Sequence, residues 1–219
     1  MIAHIFANGP YQRGIKSAIL TEKKSDLVIA ADGGANHCRL LNITPHIVIG
    51  DLDSISVTLT EKYIQAGVEF IRFPARKEAT DLELAIDLAM AKGADEVVLF
   101  GVLGGRWDMS LSNVMLAASE KYKSMAISLL NADCRMHVVH GGTTLALEGH
   151  AGQITSLIAI SADAQGIKIK GFEYPLQDAT LPFGSSRGIS NLLQETKGWI
   201  TLQRGVLLCV QELTTSLKK

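Results

Sequence analysis

The chain has 219 residues, 47% of them hydrophobic, with a formal net charge of −1 and a pI near 6.6. That length supplies a full core for one large domain or two small ones, and so small a net charge excludes a global field that would hold nucleic acid or an anionic membrane surface. Any polyanion must be bound by local groups. Cys38, Cys134 and Cys209 are far apart and form no C-x-x-C, so neither a disulfide framework nor a zinc site is indicated and a reducing compartment is expected. The apolar run within residues 1–10 is too short and interrupted for a signal peptide, and no stretch of about 20 apolar residues could span a bilayer. The expectation is a soluble, cytoplasmic protein with no nucleic-acid or membrane partner.

Ile2 to Ala7 reads as a first strand, stopped by Asn8-Gly9-Pro10. A second strand, Leu27 to Ala31, runs into Asp32-Gly33-Gly34, and Ala35 to Leu41 follows as a short helix. After Pro45 breaks the chain, Ile47-Val48-Ile49-Gly50 reads as a strand covered on both faces, which delivers Asp51 and Asp53 to its C-terminal end. If the backbone is still extended there, residues two apart point the same way, and both carboxylates can face one hard cation. Thr58 to Ala66 is a helix, Glu69 to Phe73 a fourth strand, and Leu82 to Lys92 a helix whose start is marked by a capping box, Thr80 with Glu83. Val97 to Phe100 is the fifth strand. The loop Gly101 to Asp108 leads into a helix expected over Met109 to Tyr122, and Met125 to Leu130 and Arg135 to His140 close this part as strands.

From Gly141 onward only short β-like runs appear: Thr144 to Leu147, Gln153 to Ile160, Gly166 to Phe172, Trp199 to Gln203 and Val206 to Glu212. Lys197-Gly198 reads as a break and Arg204-Gly205 as a tight hairpin turn. The expected architecture is a mostly parallel, Rossmann-like α/β sheet with helices on both faces over residues 1–140, followed by a smaller antiparallel β-sandwich over 141–219.

In open α/β sheets ligands bind outside the carboxyl ends of the strands. Asn8, Asp32, the Asp51 and Asp53 pair, Lys77 with Asp81, and Arg106 with Asp108 follow the predicted strands in turn. Singly each has a bland explanation: Asp81 suits the first turn of a helix, Asp108 suits an N-cap, and Arg106 suits a solvated loop. Together, five carboxylates with Lys and Arg among Gly33, Gly34, Gly50, Gly104 and Gly105 point to a bound divalent cation. Oxygen-only ligands favour magnesium over zinc. Magnesium beside cations and glycine loops suggests a phosphate chain, although neither G-x-x-x-x-G-K-[ST] nor G-x-G-x-x-G is present. His137 and His140, three apart on a predicted strand, face opposite sides and read as structural. The loop Gly184 to Asn191 is rich in hydroxyls; it is either plain surface or a set of small donors and acceptors for an organic substrate. Trp107, Phe183 and Trp199 are either stacking partners or core.

Five motifs in sequence order, Asp32-Gly33-Gly34-Ala35-Asn36, Gly50-Asp51-Leu52-Asp53-Ser54, Lys77 with Thr80-Asp81, Gly104-Gly105-Arg106-x-Asp108 and Ser190-Asn191, make the chain resemble the thiamine pyrophosphokinase family over nearly its whole length. The resemblance implies transfer of the terminal pyrophosphoryl group of ATP to the hydroxyethyl group of thiamine, giving thiamine diphosphate and AMP. It implies magnesium on Asp51, Asp53 and Asp81, with Asp108 beside the reacting groups. ATP and thiamine are then bound by Asn8, Asp32, Gly33, Gly34, Lys77, Thr80, Gly104, Arg106, Ser190 and Asn191, the last two contacting thiamine. A homodimer is implied as well, its active site between the α/β part of one subunit and the β part of the other. The chain departs from the family where a polar residue, often His, follows the aspartate of G-G-R-x-D: here it is Met109, whose thioether neither donates strongly nor shuttles a proton. The alternatives are a pyrophosphokinase for another heterocyclic alcohol, such as a hydroxymethylpterin, and a non-catalytic nucleotide- or thiamine-binding protein.

Overall fold

The computed structural model describes residues 1–12, 14–20 and 22–213. The chain divides into two compact units, Met1–Leu116 with Ser124–Ala132, and Ala117–Lys123 with Asp133 onward. The sequence reading put its single break after His140. The difference arises because the strand ending at His140 makes its antiparallel pairing with Val206–Glu212 and so counts with the second unit.

The first unit carries β1 (Ile2–Phe6), α1 (Ile15–Leu20), β2 (Leu27–Ala31), α2 (Gly34–Leu41), β3 (Ile47–Gly50), α3 (Val57–Gln65), β4 (Glu69–Arg72), α4 (Asp81–Ala91), β5 (Glu96–Phe100), nearly all of α5 (Trp107–Ala117) and β6 (Ala126–Leu130). Its strands lie in the order β6-β5-β1-β2-β3-β4, and every pair is parallel. All of β2 and β3 and nearly all of β1 and β5 are buried, which is why these strands read as continuous apolar runs without alternation. The edge strand β4 is partly exposed. Helix α4 begins as the sequence indicates: Thr80 is its N-cap and accepts from the Glu83 amide at 3.2 Å, while Leu82, Ala85, Ile86 and Ala89 form its buried stripe. Two helices differ from expectation. The short α1 is hidden in the sequence among Gly9, Pro10 and Gly14, and α5 stops at Ala117 because Ser119 caps a separate 3₁₀ turn, Glu120–Tyr122, accepting from the Lys121 amide.

That strand order has a functional consequence. The chain moves outward from β1 through β4, then crosses back to place β5 on the other side of β1. The reversal leaves a crevice at the carboxyl ends of β1 and β5, where open α/β sheets take their ligands.

The second unit comprises β7 (Cys134–His140), β8 (Thr143–Glu148), β9 (Ile154–Ala159), β10 (Ala164–Lys170), β11 (Leu176–Leu181), β12 (Asn191–Leu192), β13 (Lys197–Leu202) and β14 (Val206–Glu212). These pair antiparallel in the orders β12-β9-β14-β7 and β11-β10-β13-β8. One buried cluster draws side chains from both sets, among them Leu157, Leu207 and Cys209 with Ile167, Ile200 and Leu202. Among the described residues all strand pairs of the first unit are parallel and all those of the second are antiparallel, so the expectation of a mostly parallel sheet describes only the strands of the first unit. Two punctuation readings also change. Gly198 lies inside β13, where a Cβ would press 2.5 Å from the Phe172 ring, so this glycine permits close packing instead of ending a strand. Arg204-Gly205 makes no hairpin, since β13 pairs with β8 and β10 while β14 pairs with β7 and β9; the chain changes sheets there. β11 and β12 were not foreseen, because neither is long or apolar enough to stand out.

Candidate active site

A cavity of about 580 Å³ opens at the β1/β5 crevice. It is lined by Ala7, Asn8 and Gly9 after β1, Ala31 and Asp32 at the end of β2, Asp51 after β3, Lys77 and Thr80–Leu82 at the start of α4, and Gly101, Gly104, Arg106 and Met109 after β5. Glycines let its walls approach one another. A Cβ at Gly34 would overlap the Phe6 carbonyl and one at Gly33 the Asn8 side chain, so these two residues bring the start of α2 against β1. Gly9 donates to the Gly101 carbonyl at 2.8 Å and leaves no room for a side chain there.

The acidic residues converge. One carboxylate oxygen from each of Asp32, Asp51 and Asp53 lies within 4.8 Å of the others. Asp32 is buried, with φ of 45°, and its Oδ1 has no hydrogen-bond partner. A buried carboxylate oxygen without a donor, facing two further carboxylates, is an arrangement that a hard divalent cation completes. The convergence of Asp51 and Asp53 does not come from an extended strand, as the sequence suggested. Leu52 has φ of 67°, a left-handed conformation for a bulky residue, and the Asp53 amide folds back onto Asp51 Oδ1 at 3.3 Å. Ser54 Oγ donates to Asp53 Oδ1 at 3.0 Å, and Asn36 Nδ2 ties the Ser54 carbonyl to α2 at 3.0 Å.

Asp81, a metal ligand by the family resemblance, stands outside that trio and is ion-paired with Lys77 at 3.0 Å. Burial raises its carboxyl above the usual range; the Lys77 ammonium opposes this, and the charges of Asp32 and Asp51 add to it. Asp81 remains close to the trio: a Cβ on Gly50, whose φ is 146°, would lie 2.9 Å from Asp81 Oδ1 and 3.0 Å from Asp32 Cβ. Gly50 is the residue around which the carboxylates gather. The Lys77 ammonium also donates to the Pro74 carbonyl at 3.2 Å.

Arg106 and Asp108 pair with each other through two hydrogen bonds, Nε to Oδ1 and Nη2 to Oδ2, at a solvent-exposed position. The pairing lowers the Asp108 carboxyl and raises the Arg106 guanidinium from their ordinary values. Ser190 and Asn191 belong to the second unit. Ser190 is exposed with φ of 59°, and its amide donates to Ser156 Oγ at 3.0 Å. The Asn191 amide group is engaged with the backbone of Tyr174, accepting from its N–H at 3.0 Å and donating to its carbonyl at 2.9 Å. His137 and His140 join no metal-binding group among the described residues, and burial pushes the His137 imidazole down to about 3. Of the aromatics weighed as stacking partners or core, Trp107, Phe183 and Trp199 are all exposed. Sequence reading missed Ser110 and Asn113, both buried on α5; their only sequence signal is a polar residue facing inward on an otherwise apolar helix.

Two family profiles match the chain in order: "Thiamin pyrophosphokinase, catalytic domain" over residues 20–129 and "Thiamin pyrophosphokinase, vitamin B1 binding domain" over residues 143–207. A thiamine pyrophosphokinase of Bacillus subtilis is 29% identical over 185 residues, covering 84% of this chain and 86% of its own. The crystal structure of the B. subtilis protein superposes with a TM-score of 0.83 at 26% identity, covering 98% of this chain and 100% of that one. That of a thiamin pyrophosphokinase from Geobacillus thermodenitrificans also gives 0.83, at 27% identity and complete coverage of both chains.

The unpartnered Asp32 carboxylate generates a prediction. Replacing it by Asn keeps the shape, suits φ of 45° and removes one of three mutually repelling charges. Without divalent cations Asp32→Asn should melt at or above the wild-type temperature, a gain of about 1 kcal/mol, and magnesium, expected to stabilise the wild type, should not stabilise the variant. Calorimetry with and without magnesium reads both; a variant destabilised without metal yet still stabilised by magnesium would contradict the assignment.

Proposed function

Because this chain belongs to the thiamin pyrophosphokinase family, we propose that the acidic cavity of its first unit is where a pyrophosphoryl group leaves ATP for thiamine. The activity is that of a thiamine diphosphokinase: ATP and thiamine give thiamine diphosphate and AMP. The observation that carries the assignment of the site is that Asp32 and Asp51 line the cavity beside the Lys77–Asp81 pair, with a carboxylate oxygen of Asp53 within 4.8 Å of theirs. A vitamin B1 binding profile over residues 143–207 favours thiamine over another heterocyclic alcohol.

Asp32, Asp51 and Asp53 would hold magnesium, which supplies neutralisation of phosphate oxygens when bound. Asp81, adjacent and paired with Lys77, keeps that lysine's ammonium pointed at the cavity, where it contacts the phosphate chain. Arg106 binds phosphate at the cavity mouth once it exchanges Asp108 for the ligand, and Asp108, released, orients the thiamine alcohol for in-line attack on the β-phosphorus with AMP leaving. Such transfers pass through a loose transition state, so positioning and charge outweigh proton removal. This accommodates Met109, which lines the cavity in place of a proton-carrying side chain. Asn8, Gly33, Gly34, Thr80 and Gly104 shape the wall against the nucleotide. In the second unit the exposed Ser190 contacts thiamine, and Asn191 holds its neighbouring backbone in place.

We read the protein as a cytoplasmic homodimer. Among the described residues no helix is long and apolar enough to cross a membrane. Trp107, Leu111 and Met115, one helical turn apart on α5, are 86%, 60% and 44% exposed, a stripe that a second subunit would cover. Sedimentation should give a dimer, weakened by Leu111→Ser; a monomer at micromolar concentration would remove this part of the reading.

The function is tested with purified protein, magnesium, ATP and thiamine, following AMP and thiamine diphosphate by phosphorus NMR. Equimolar AMP and thiamine diphosphate are expected, and Asp51→Asn should lose at least about a hundredfold in kcat/KM while remaining folded. Lys77→Ala should raise KM for ATP more than it lowers kcat. ADP as product, or near-normal turnover by folded Asp51→Asn, would refute the mechanism.

A further inference from the structure

The segment from Gly101 to Arg106 lines the cavity, yet its own sequence cannot hold its path. Gly101, Gly104 and Gly105 take φ of 66°, 92° and 67°, and glycine has the most conformational freedom to lose. Two side chains of α5 supply the restraint. Ser110 Oγ accepts from the Gly104 amide at 2.9 Å and lies 3.1 Å from the Arg106 carbonyl and 3.3 Å from that of Gly104, either of which can take its single hydroxyl hydrogen. Asn113 Nδ2 donates to the Val102 carbonyl at 2.7 Å. The two residues are three apart, share one face of the helix, and are 6% and 7% exposed. Their bonds fall at Val102, Gly104 and Arg106, spanning the loop.

The backbone groups they bind belong to the cavity wall: Gly101, Val102, Gly104 and Arg106 all line it, as does Asn113. The Arg106 carbonyl accepts from the Ser110 amide at 3.1 Å and lies 3.1 Å from its hydroxyl, so Ser110 helps to set where the Arg106 side chain begins. We infer that Ser110 and Asn113 are positioning residues for pyrophosphoryl transfer, holding the glycine loop so that Arg106 and Asp108 meet the bound phosphates and alcohol. The inference rests on the functional reading above. It also separates two uses of the loop: the Gly104 amide, engaged by Ser110, is not offered to phosphate, and the loop acts through Arg106 and its shape instead of as a ring of free amides.

The test compares Ser110→Thr, which keeps the hydroxyl, with Ser110→Val, which has the same bulk without it. Steady-state kinetics are run at a temperature where circular dichroism shows each variant folded. Ser110→Val should lose roughly ten- to a hundredfold in kcat/KM for ATP, and Ser110→Thr should stay close to the wild type. In an Arg106→Ala background the further loss from Ser110→Val should shrink, because part of the serine's effect passes through the arginine. Equal behaviour of Thr and Val, or a Val loss undiminished in the Arg106→Ala background, would overturn the inference and leave Ser110 as a packing residue. If Ser110→Val does not fold, Asn113→Leu takes its place in the cycle: a loss that shrinks in the Arg106→Ala background is expected, and no loss or an undiminished one overturns the inference. A wild-type protein that forms no thiamine diphosphate would instead remove the functional reading, and this inference with it.

Discussion

Like charges at a few ångströms repel, and the approach of Asp32, Asp51 and Asp53 to one another is the constraint on which the rest of the first unit depends. Three adjacent features accommodate it. Gly50 has no side chain where Asp32 and Asp81 crowd in, Leu52 accepts a left-handed turn, and Asp32 itself sits at positive φ. A buried carboxylate oxygen without a donor and a strained leucine would each lower stability by about 1–3 kcal/mol. A fold retains such features when a ligand that supplies compensating charge is part of its working state.

The scaffold is the opposite in character. β1, β2, β3 and β5 are almost wholly buried, their apolar runs interlocked in parallel register, and this rigid layer ends abruptly at the crevice. Rigid strands deliver the carboxylates, while the loop after β5 is soft by composition and is fixed from α5. The site therefore combines groups positioned by the sheet with groups positioned by buried hydrogen bonds. Charge-bearing residues of both kinds, Asp51 and Arg106, face one cavity.

Much of this was legible in the sequence. Strands buried on both faces announce themselves as unbroken apolar runs, and the carboxylates at their ends stood out because strand ends are where such sheets bind ligands. Other features were not legible. The place of Asp32 beside Asp51 and Asp53 was hidden because it comes with positive φ at Asp32 and Leu52, and a leucine does not signal that conformation. The division of the chain between units was equally hidden: β7 resembles another strand of the first part until its pairing with β14 is seen. Ser110 and Asn113 were passed over because a serine and an asparagine on a helix most often face solvent. In the second unit, Gly198 and Arg204-Gly205 looked like turns since glycine's use for close packing or for a change of sheet cannot be separated from a turn without the neighbours in view.

The central claim is that magnesium and the phosphates of ATP meet at the Asp32, Asp51 and Asp53 trio. The most direct measurement is a crystal structure of the protein soaked with manganese, an anomalous scatterer that replaces magnesium, and a non-hydrolysable ATP analogue. The account predicts an anomalous peak within coordination distance of at least two of these three carboxylates, with the phosphate chain running toward Lys77. A peak held elsewhere, or a nucleotide lying outside the β1/β5 crevice, would contradict it.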